Sequence, residues 1–190
     1  MIRRNHQTGE VSLDLLRWGL VPLWAKDRSF GPKCINARGE TVASNNIFRD
    51  AFEHRRCLIP ADGFYEWQKA DGRTIPFAVV PRDGVFAFAG LWERWRSPED
   101  GSILRSFAIV TSAANALCRP IHERMPVILA PEDWPAWLGE AGAEPAQLLA
   151  LLKPCPEDAI RVYPVGSAVG NVRNDEPSLL DPADDTIPPG

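Results

Sequence analysis

The segment Phe64-Tyr65-Glu66-Trp67 places a carboxylate among three aromatic side chains. Alternate residues of an extended strand face the same side, so Glu66 shares a face with Phe64, while Tyr65 and Trp67 face the other way. Burial among aromatic rings disfavours the charged carboxylate and raises its pKa toward neutrality, where it can act as a general acid or base. The alternative, an exposed glutamate on an edge strand, stays open.

A second segment, Cys34-Ile35-Asn36-Ala37-Arg38, aligns polar groups in the same way. Alternation puts Cys34, Asn36 and Arg38 on one face of a short strand. An amide beside a guanidinium suits the binding of an anion, because arginine offers a planar fork of donors to a phosphate. The other interpretation is an asparagine that forms a turn and an arginine that lies on the surface.

The segment Ile121-His122-Glu123-Arg124-Met125-Pro126 supplies the candidate for a proton shuttle. His122 stands two residues before Arg124, and an imidazole changes its charge near physiological pH. His6 lies in a predicted turn and His54 at a predicted helix end, so His122 is the histidine favoured for catalysis. The alternative is a histidine with no catalytic role.

Several other kinds of site find no support in the sequence. The four cysteines, Cys34, Cys57, Cys118 and Cys155, lie far apart without a Cys-x-x-Cys pair, which favours reduced, mostly buried thiols over a zinc site or a disulfide framework. There is no nucleophile elbow, no phosphate loop, no Gly-x-Gly-x-x-Gly and no cluster with metal-ligand spacing. We therefore expect neither a metal nor a cofactor.

The elements that must position these residues are predicted to be mostly strands. A β-hairpin is expected over residues 2–16, and further strands at residues 34–38, 57–59, 64–67, 75–80, 85–95, 103–111 and 160–165. Helices are predicted at residues 44–54, 131–138 and 145–152. Strands joined by short turns favour a single α+β domain with a mostly antiparallel, barrel-like sheet and peripheral helices. We place this domain at residues 1–174 and predict a disordered, acidic, proline-rich tail at residues 175–190.

Composition and charge narrow the class of protein further. With 190 residues, 45% of them hydrophobic and 24% charged, the chain resembles an ordinary soluble domain. It has no run of roughly 20 apolar residues and no signal-peptide core, so we expect a cytoplasmic protein without membrane contact. The net charge is −4, yet the first 60 residues hold ten basic against six acidic residues, which permits a local phosphate-binding face.

Seven motifs occur in a fixed order along the chain. They are Trp18-Gly19-Leu20-Val21-Pro22-x-Trp24, Ile35-Asn36-Ala37-Arg38-x-Glu40-Thr41, Arg56-Cys57-Leu58-Ile59-Pro60-Ala61-x-Gly63-Phe64-Tyr65-Glu66-Trp67, Phe88-Ala89-Gly90-Leu91-Trp92, Ile109-Val110-Thr111-x-Ala113-Ala114, Ile121-His122-x-Arg124-Met125-Pro126 and Val169-Gly170-Asn171-Val172. Together they closely resemble the SOS-response-associated peptidase family from residue 2 to residue 174. The resemblance implies a β-barrel-like α+β domain that binds single-stranded DNA at an abasic site.

The resemblance also implies catalytic roles for three residues. Asn36 is expected to hold the reacting amino-terminal group, Glu66 to transfer protons, and His122 to assist the formation and reversal of a Schiff base. These are the groups that the chemical patterns above also favour.

The same resemblance implies a DNA-binding set. Arg38 and Arg124 are expected to grip phosphates, and Thr111 is placed at the DNA with them. Trp24 and the pair Ile47-Phe48 lie where the family presents apolar side chains to DNA, in keeping with stacking against unpaired bases. The expected partner is single-stranded DNA that contains abasic sites, bound by a monomer.

The sequence departs from the family at its start. The family nucleophile is a cysteine directly after the initiator methionine, where this chain has Ile2. A free α-amine condenses with the abasic aldehyde and the thiol of the same residue then closes a thiazolidine, so only an amino-terminal cysteine carries both groups. We expect a truncated reading frame whose complete protein forms this covalent DNA–protein crosslink in the SOS response, with lyase-type and self-processing peptidase activity.

The alternative is a non-catalytic relative that binds single-stranded DNA without crosslinking to it. Its arginines and apolar contact residues would survive, but the retention of Asn36, Glu66 and His122 counts against it. Hydrolysis of other proteins finds no support in any Ser/His/Asp or Cys/His pattern.

Overall fold

The computed structural model describes residues 1–5, 8–70 and 72–183. The strands in this part of the chain are β1 (Ile2–Arg4), β2 (Val11–Leu13), β3 (Arg17–Trp18), β4 (Asn36–Arg38), β5 (Arg56–Ala61), β6 (Phe64–Ala70), β7 (Arg73–Pro81), β8 (Phe86–Arg96), β9 (Ile103–Ala113), β10 (Arg124–Pro126) and β11 (Ile160–Pro164). The α-helices are α1 (Arg49–His54), α2 (Trp134–Trp137) and α3 (Pro145–Ala150). The predicted single α+β domain is confirmed.

Two sheets carry the fold. The larger has the strand order β10-β9-β8-β5-β1-β2, with β3 and β4 also paired to β9, and the smaller has the order β11-β7-β6. Neighbouring strands are antiparallel, apart from β3 and β4, which run parallel to β9. The predicted hairpin at the start of the chain is formed by β1 and β2. The predicted position of His6 in a turn falls outside the described residues.

The main hydrophobic core lies between the larger sheet and the helices. Trp137 of α2 is fully buried, contacts Phe52 of α1 and donates a hydrogen bond from Nε1 to the carbonyl of Cys57 at 2.9 Å. Strands β5 and β8 approach closely at Gly90, where a Cβ would meet the Ile59 side chain at 2.6 Å. Glycine suits this position because a larger side chain would clash with the side chains of Ile59 and Cys57 on the paired strand.

A second core fixes β6, the strand that carries Glu66. Phe64 of β6 packs edge-on against Phe88 of β8, with ring centroids 6.0 Å apart. The same cluster includes Val79 of β7 and Ile160 of β11, so it joins the two sheets. Such aromatic and aliphatic packing holds a strand in register more firmly than its edge hydrogen bonds alone.

The predicted helix at residues 44–54 is shorter than expected. Residues before Arg49 form turns instead, in which Asn45 accepts the Ile47 N–H on its side-chain oxygen at 2.8 Å. Asparagine side chains compete with helical hydrogen bonding in this way and favour turns. The predicted helix at residues 131–138 also divides into a 3-10 turn (Pro131–Asp133) and α2.

The acidic tail is ordered further than the sequence indicates. A 3-10 turn spans Pro177–Leu180, the Tyr163 hydroxyl donates to the Leu180 carbonyl at 2.9 Å, and the Ala183 N–H donates to the Pro164 carbonyl at 2.9 Å. These contacts attach residues 175–183 to β11, and residues 184–190 lie outside the described chain. None of the described helices is both long and apolar enough to cross a membrane.

Candidate functional site

A cavity of about 350 Å³, named the main cavity, is lined by the polar residues that the sequence singles out. Its polar lining includes Asn36, Arg38, Glu66, His122 and Arg124. These residues come from β4, β6 and the segment leading into β10. They meet because β4 and β10 both pair with β9, so that Arg38 and Pro126 are both register partners of Thr111. These residues line one pocket, as predicted. Their chemical roles stay predictions.

Strand β4 presents Asn36 and Arg38 to this cavity. Both are exposed, while Ala37 between them is fully buried. Among the described residues, neither Asn36 nor Arg38 has a side-chain hydrogen bond or ion pair, so both are available to a ligand. Cys34, predicted to share their face, is instead 3% exposed and packs in the main core. The strand begins only at Asn36, because Cys34 ends a 3-10 turn (Arg28–Lys33) and breaks the alternation.

Glu66 is partly buried, with 25% of its side chain exposed. Burial raises the pKa of its carboxyl, and this effect is only partly offset by the His122 charge and the hydrogen bond from the Trp67 backbone. Nδ1 of His122 lies 3.7 Å from a Glu66 carboxylate oxygen. Glu66 therefore keeps a proton to higher pH than an ordinary glutamate.

The imidazole of His122 has a partner in either protonation state of Nδ1. This nitrogen lies 3.2 Å from the Arg124 N–H, from which it accepts when it is unprotonated. It also lies 3.0 Å from the Arg124 carbonyl, to which it donates when it is protonated. Because 46% of its side chain is exposed, His122 can exchange protons with solvent or with a ligand in the cavity.

Arg124 is held on the cavity wall by two neighbours. Its Nη1 and Nη2 donate to the two carboxylate oxygens of Glu40 at 2.6 and 2.9 Å. Nη2 also donates to the carbonyl and the hydroxyl of Thr111, at 2.7 and 3.1 Å. Thr111 is 8% exposed, so its side chain contacts Arg124 and offers little surface to a ligand.

The raised pKa of Glu66 has a consequence for stability. Between the pKa values of the unfolded and folded states, the unfolded chain has released the proton that the folded chain still holds, so wild-type stability falls as the pH rises. A glutamine side chain at this position cannot ionise. We expect Glu66→Gln to gain stability relative to wild type as the pH rises above about 4.3, the value for an unperturbed glutamate.

Urea unfolding of both proteins at a series of pH values measures this gain. Glu123→Gln makes the same chemical change at an exposed position and is the control. A stability difference between Glu66→Gln and wild type that does not vary with pH contradicts the assignment of a raised pKa.

A second, larger cavity contains part of the predicted DNA-binding set. It has a volume of about 1010 Å³ and is lined by Trp24, Ile47 and Arg49, among others. Trp24 is 57% exposed and rests edge-on against Phe30, which leaves much of its surface available for stacking. Ile47 is half-buried.

Phe48 does not belong to this surface. It is 7% exposed and packs in the main core, so its ring is not available to a base, contrary to the sequence-based expectation. The turn through residues 44–48 leaves Ile47 half-buried at the cavity wall and buries Phe48 in the core. Consecutive residues cannot both face the ligand at this point of the chain.

The four cysteines are reduced and buried, as the sequence predicts. Burial raises the pKa of each thiol, to about 11 for Cys118 and Cys155, so the reactive thiolate is scarce at neutral pH. Within the described ranges, no three His, Cys, Asp or Glu side chains are grouped to hold a metal ion.

Two residues in or beside the main cavity had no role predicted from the sequence. Trp18 lines it, 52% exposed, with Nε1 donating to the Ile35 carbonyl at 2.9 Å and its ring stacked on Phe107. Glu40 holds Arg124 from outside the cavity. Both lie inside the family-like motifs, and that position was the only signal of their importance in the sequence.

The structure is that of a single-domain α+β protein in which Glu66, His122, Arg38 and Arg124 line one pocket. A family model described as SOS response associated peptidase (SRAP) matches residues 1–172, and the chain belongs to that family.

Named relatives agree with this membership. The abasic site processing protein YoqW of Bacillus subtilis (strain 168) is 44% identical over 171 residues, covering 89% of this chain and 76% of the relative. YedK of Escherichia coli (strain K12), also called an abasic site processing protein, is 34% identical over 174 residues, covering 90% and 76%. A crystal structure of a protein from Bacteroides thetaiotaomicron matches with a TM-score of 0.85 at 27% identity, covering 96% of this chain and 80% of that one.

Proposed function

We propose that this chain binds single-stranded DNA at an abasic site and provides the acid–base groups for a Schiff base at the abasic aldehyde. The observation that carries the proposal is the convergence of Asn36, Glu66 and His122 with two arginines on one cavity. An abasic site in single-stranded DNA presents an aldehyde flanked by phosphates, and this pocket offers proton donors flanked by guanidinium groups. The names of the relatives, abasic site processing proteins, point to the same substrate.

Each proton transfer in the proposed chemistry is assigned to a side chain of the pocket. When an amine adds to the aldehyde, a hydroxyl forms that must leave as water, and a protonated Glu66 can supply the proton for that departure. The raised pKa of Glu66 supports this assignment, because a carboxyl that is always ionised has no proton to give. His122 exchanges the proton lost from the attacking nitrogen, and Asn36 orients the amine through its free amide.

The covalent crosslink requires one further group. A thiazolidine needs an amine and a thiol on the same residue, and the four cysteines of this chain are internal and buried. We assign crosslinking, lyase-type reversal and any peptidase-like self-processing to a form of the protein whose amino-terminal residue is a cysteine. For a polypeptide of these 190 residues, the burial of all four thiols favours the second candidate. That candidate is a module that binds abasic DNA without a permanent bond.

Salt dependence tests the DNA-binding part of the proposal. Each phosphate contact on a single strand contributes about 0.7 to the slope of log affinity against log salt concentration. We therefore expect the affinity for abasic single-stranded DNA to fall with salt, and Arg38→Ala to weaken binding and reduce the slope by about one contact.

Fluorescence anisotropy with labelled abasic and undamaged oligonucleotides provides the measurement. Arg94→Ala removes an exposed arginine from β8, outside the lining of the main cavity, and is the matched control. Salt-insensitive binding, or an Arg38→Ala variant that behaves like Arg94→Ala, would count against the phosphate-binding assignment.

A further inference from the structure

Glu40 is an acidic residue beside a site proposed to bind phosphates. It lies just after β4, 52% of its side chain is exposed, and both of its carboxylate oxygens accept from Arg124. A carboxylate here opposes the positive charge that would attract DNA. Its place in the structure therefore calls for a function that offsets this electrostatic disadvantage.

The contacts of Arg124 show how much Glu40 restrains it. A guanidinium has five N–H groups. Two donate to Glu40 and another to Thr111, while Nε is buried and has no hydrogen-bond partner among the described residues. The terminal nitrogens thus fix the Arg124 side chain on the cavity wall, and its Nε–H donates no hydrogen bond to the described residues.

Glu40 acts on both arginines of the cavity wall. The hydrogen bonds from Arg124 lower the pKa of its carboxyl most strongly, and the charges of Arg124 and Arg38 lower it further. Arg38 and Arg124 line one cavity, whereas Glu40 is not part of the lining. Two guanidinium groups on one wall repel each other in the absence of a ligand, and a carboxylate near both of them offsets that repulsion.

We propose that Glu40 is a positioning residue: its carboxylate, braced against Arg124 from outside the cavity, holds Arg124 beside Arg38 before DNA arrives. This inference rests on the proposed function, because it takes Arg124 to contact a phosphate. An arginine that is already ordered loses less side-chain freedom on binding. Glu40 thereby improves affinity although its charge alone would weaken it.

The opposite role would be competition, in which Glu40 occupies Arg124 and a phosphate must displace it. The two roles predict opposite signs for the same substitution. Removing a competitor tightens DNA binding, whereas removing a brace weakens it. Ordering one long side chain costs about 0.5–1.5 kcal/mol, which corresponds to roughly a two- to tenfold weaker affinity when the brace is lost.

The test compares Glu40→Ala, Glu40→Gln and Glu40→Asp with Glu123→Gln by anisotropy with abasic single-stranded DNA over a range of salt concentrations. Glu123 precedes Arg124, is exposed and has no side-chain partner among the described residues, so its substitution removes the same charge without touching the brace. We expect Glu40→Ala to bind roughly two- to tenfold more weakly, Glu40→Gln to be intermediate, Glu40→Asp to restore most of the affinity, and Glu123→Gln not to weaken binding. Tighter binding by Glu40→Ala or Glu40→Gln, in step with Glu123→Gln, would overturn the inference.

Two further measurements separate this inference from the proposed function. Arg124→Lys, which keeps the charge but loses the fork, should also weaken binding; if it does not, the phosphate contact of Arg124 fails, and the inference fails with it. Nitrogen NMR of the Arg124 side chain reports its restraint without DNA. Separate terminal-nitrogen signals in wild type that merge in Glu40→Ala show the brace, and merged signals in both proteins refute it.

Discussion

Mixed with abasic single-stranded DNA, a polypeptide of these 190 residues is expected to bind without forming a heat-stable adduct. Connectivity decides this result, because the thiazolidine ring takes its nitrogen and its sulfur from one residue. Met1 and Ile2 offer an amine but no thiol. An imine formed by the amine alone is reversible and is lost on denaturation unless it is reduced.

None of the internal thiols can replace that of an amino-terminal cysteine. Cys34 is the nearest in sequence to Asn36, yet it is 3% exposed and burial raises its pKa. Its nitrogen is an amide, which forms no imine. Burial raises the pKa of the Cys118 thiol to about 11, with a smaller contribution from the Glu66 carboxylate, so this thiol is also held in its unreactive form.

Denaturing gel electrophoresis without a reducing agent for imines measures the adduct. Borohydride added in a parallel sample traps any imine and shows that the aldehyde was reached. Cys34→Ala is the diagnostic variant. A heat-stable band from the 190-residue chain, abolished by Cys34→Ala, would show that an internal thiol reacts and that the connectivity argument is mistaken.

A chain extended to begin with a cysteine is expected to gain the adduct. In that background Glu66→Gln should slow its formation by about 10²- to 10⁴-fold, the usual contribution of a positioned acid–base group. The amide keeps the shape of Glu66 but carries no transferable proton. An unchanged rate would remove Glu66 from the mechanism while leaving the DNA-binding proposal intact.

Most of the strands were predictable because their signal is local, whereas the short β3 and β10 were not predicted. Alternation of apolar residues placed β5 to β9 and β11 close to their observed limits, since a half-buried sheet imposes that pattern directly on the sequence. The start of helix α1 was harder to predict, because Asn45 uses its side chain to form a turn where apolar spacing indicated helix. The family resemblance failed at Phe48, which it placed at the DNA but which is 7% exposed and packs in the main core.

The candidate site was predictable as a set of residues but not as an arrangement. Alternation placed Glu66 beside Phe64, and family resemblance singled out His122, but neither gives the 3.7 Å between their charged groups. The pairing of Glu40 with Arg124 joins residues 84 positions apart through the common partner strand β9. Contacts of this kind follow from strand order, which a single sequence does not specify.

Arg55 and Glu93 form another long-range pair, on which we expect a large effect. Glu93 is 3% exposed, its Oε1 lies 2.7 Å from Nε of Arg55, and its Oε2 accepts from Nη2 at 3.0 Å. Arg55 also pairs with Asp50 of α1. The three charges connect α1 to β8 behind the larger cavity, which Asp50 and Glu93 help to line.

Arg55→Met should lower the free energy of unfolding by about 3–5 kcal/mol at pH 7, because it leaves Glu93 buried and charged without its partner. Methionine replaces most of the apolar stem, so the loss reports the charge rather than a cavity. Arg94→Met, at an exposed arginine of β8, should change stability by less than about 0.5 kcal/mol.

The pH dependence identifies the cause of this loss. Burial already raises the pKa of Glu93 against the opposing effect of Arg55, so the pKa rises further when Arg55 is removed. A raised folded-state pKa means that the variant loses stability as the pH rises from about 4.3, the unfolded value, to the new folded value. The deficit relative to wild type is therefore smallest in acid and largest near neutrality.

Adding Glu93→Gln to Arg55→Met should recover most of the lost stability, since a neutral amide removes the stranded charge. Urea unfolding of the single and double variants at pH 5 and pH 7 measures both effects. If Arg55→Met is equally destabilised at both pH values and Glu93→Gln does not rescue it, packing rather than charge holds α1 against β8. In that case the pair would set the geometry of the larger cavity by its shape alone.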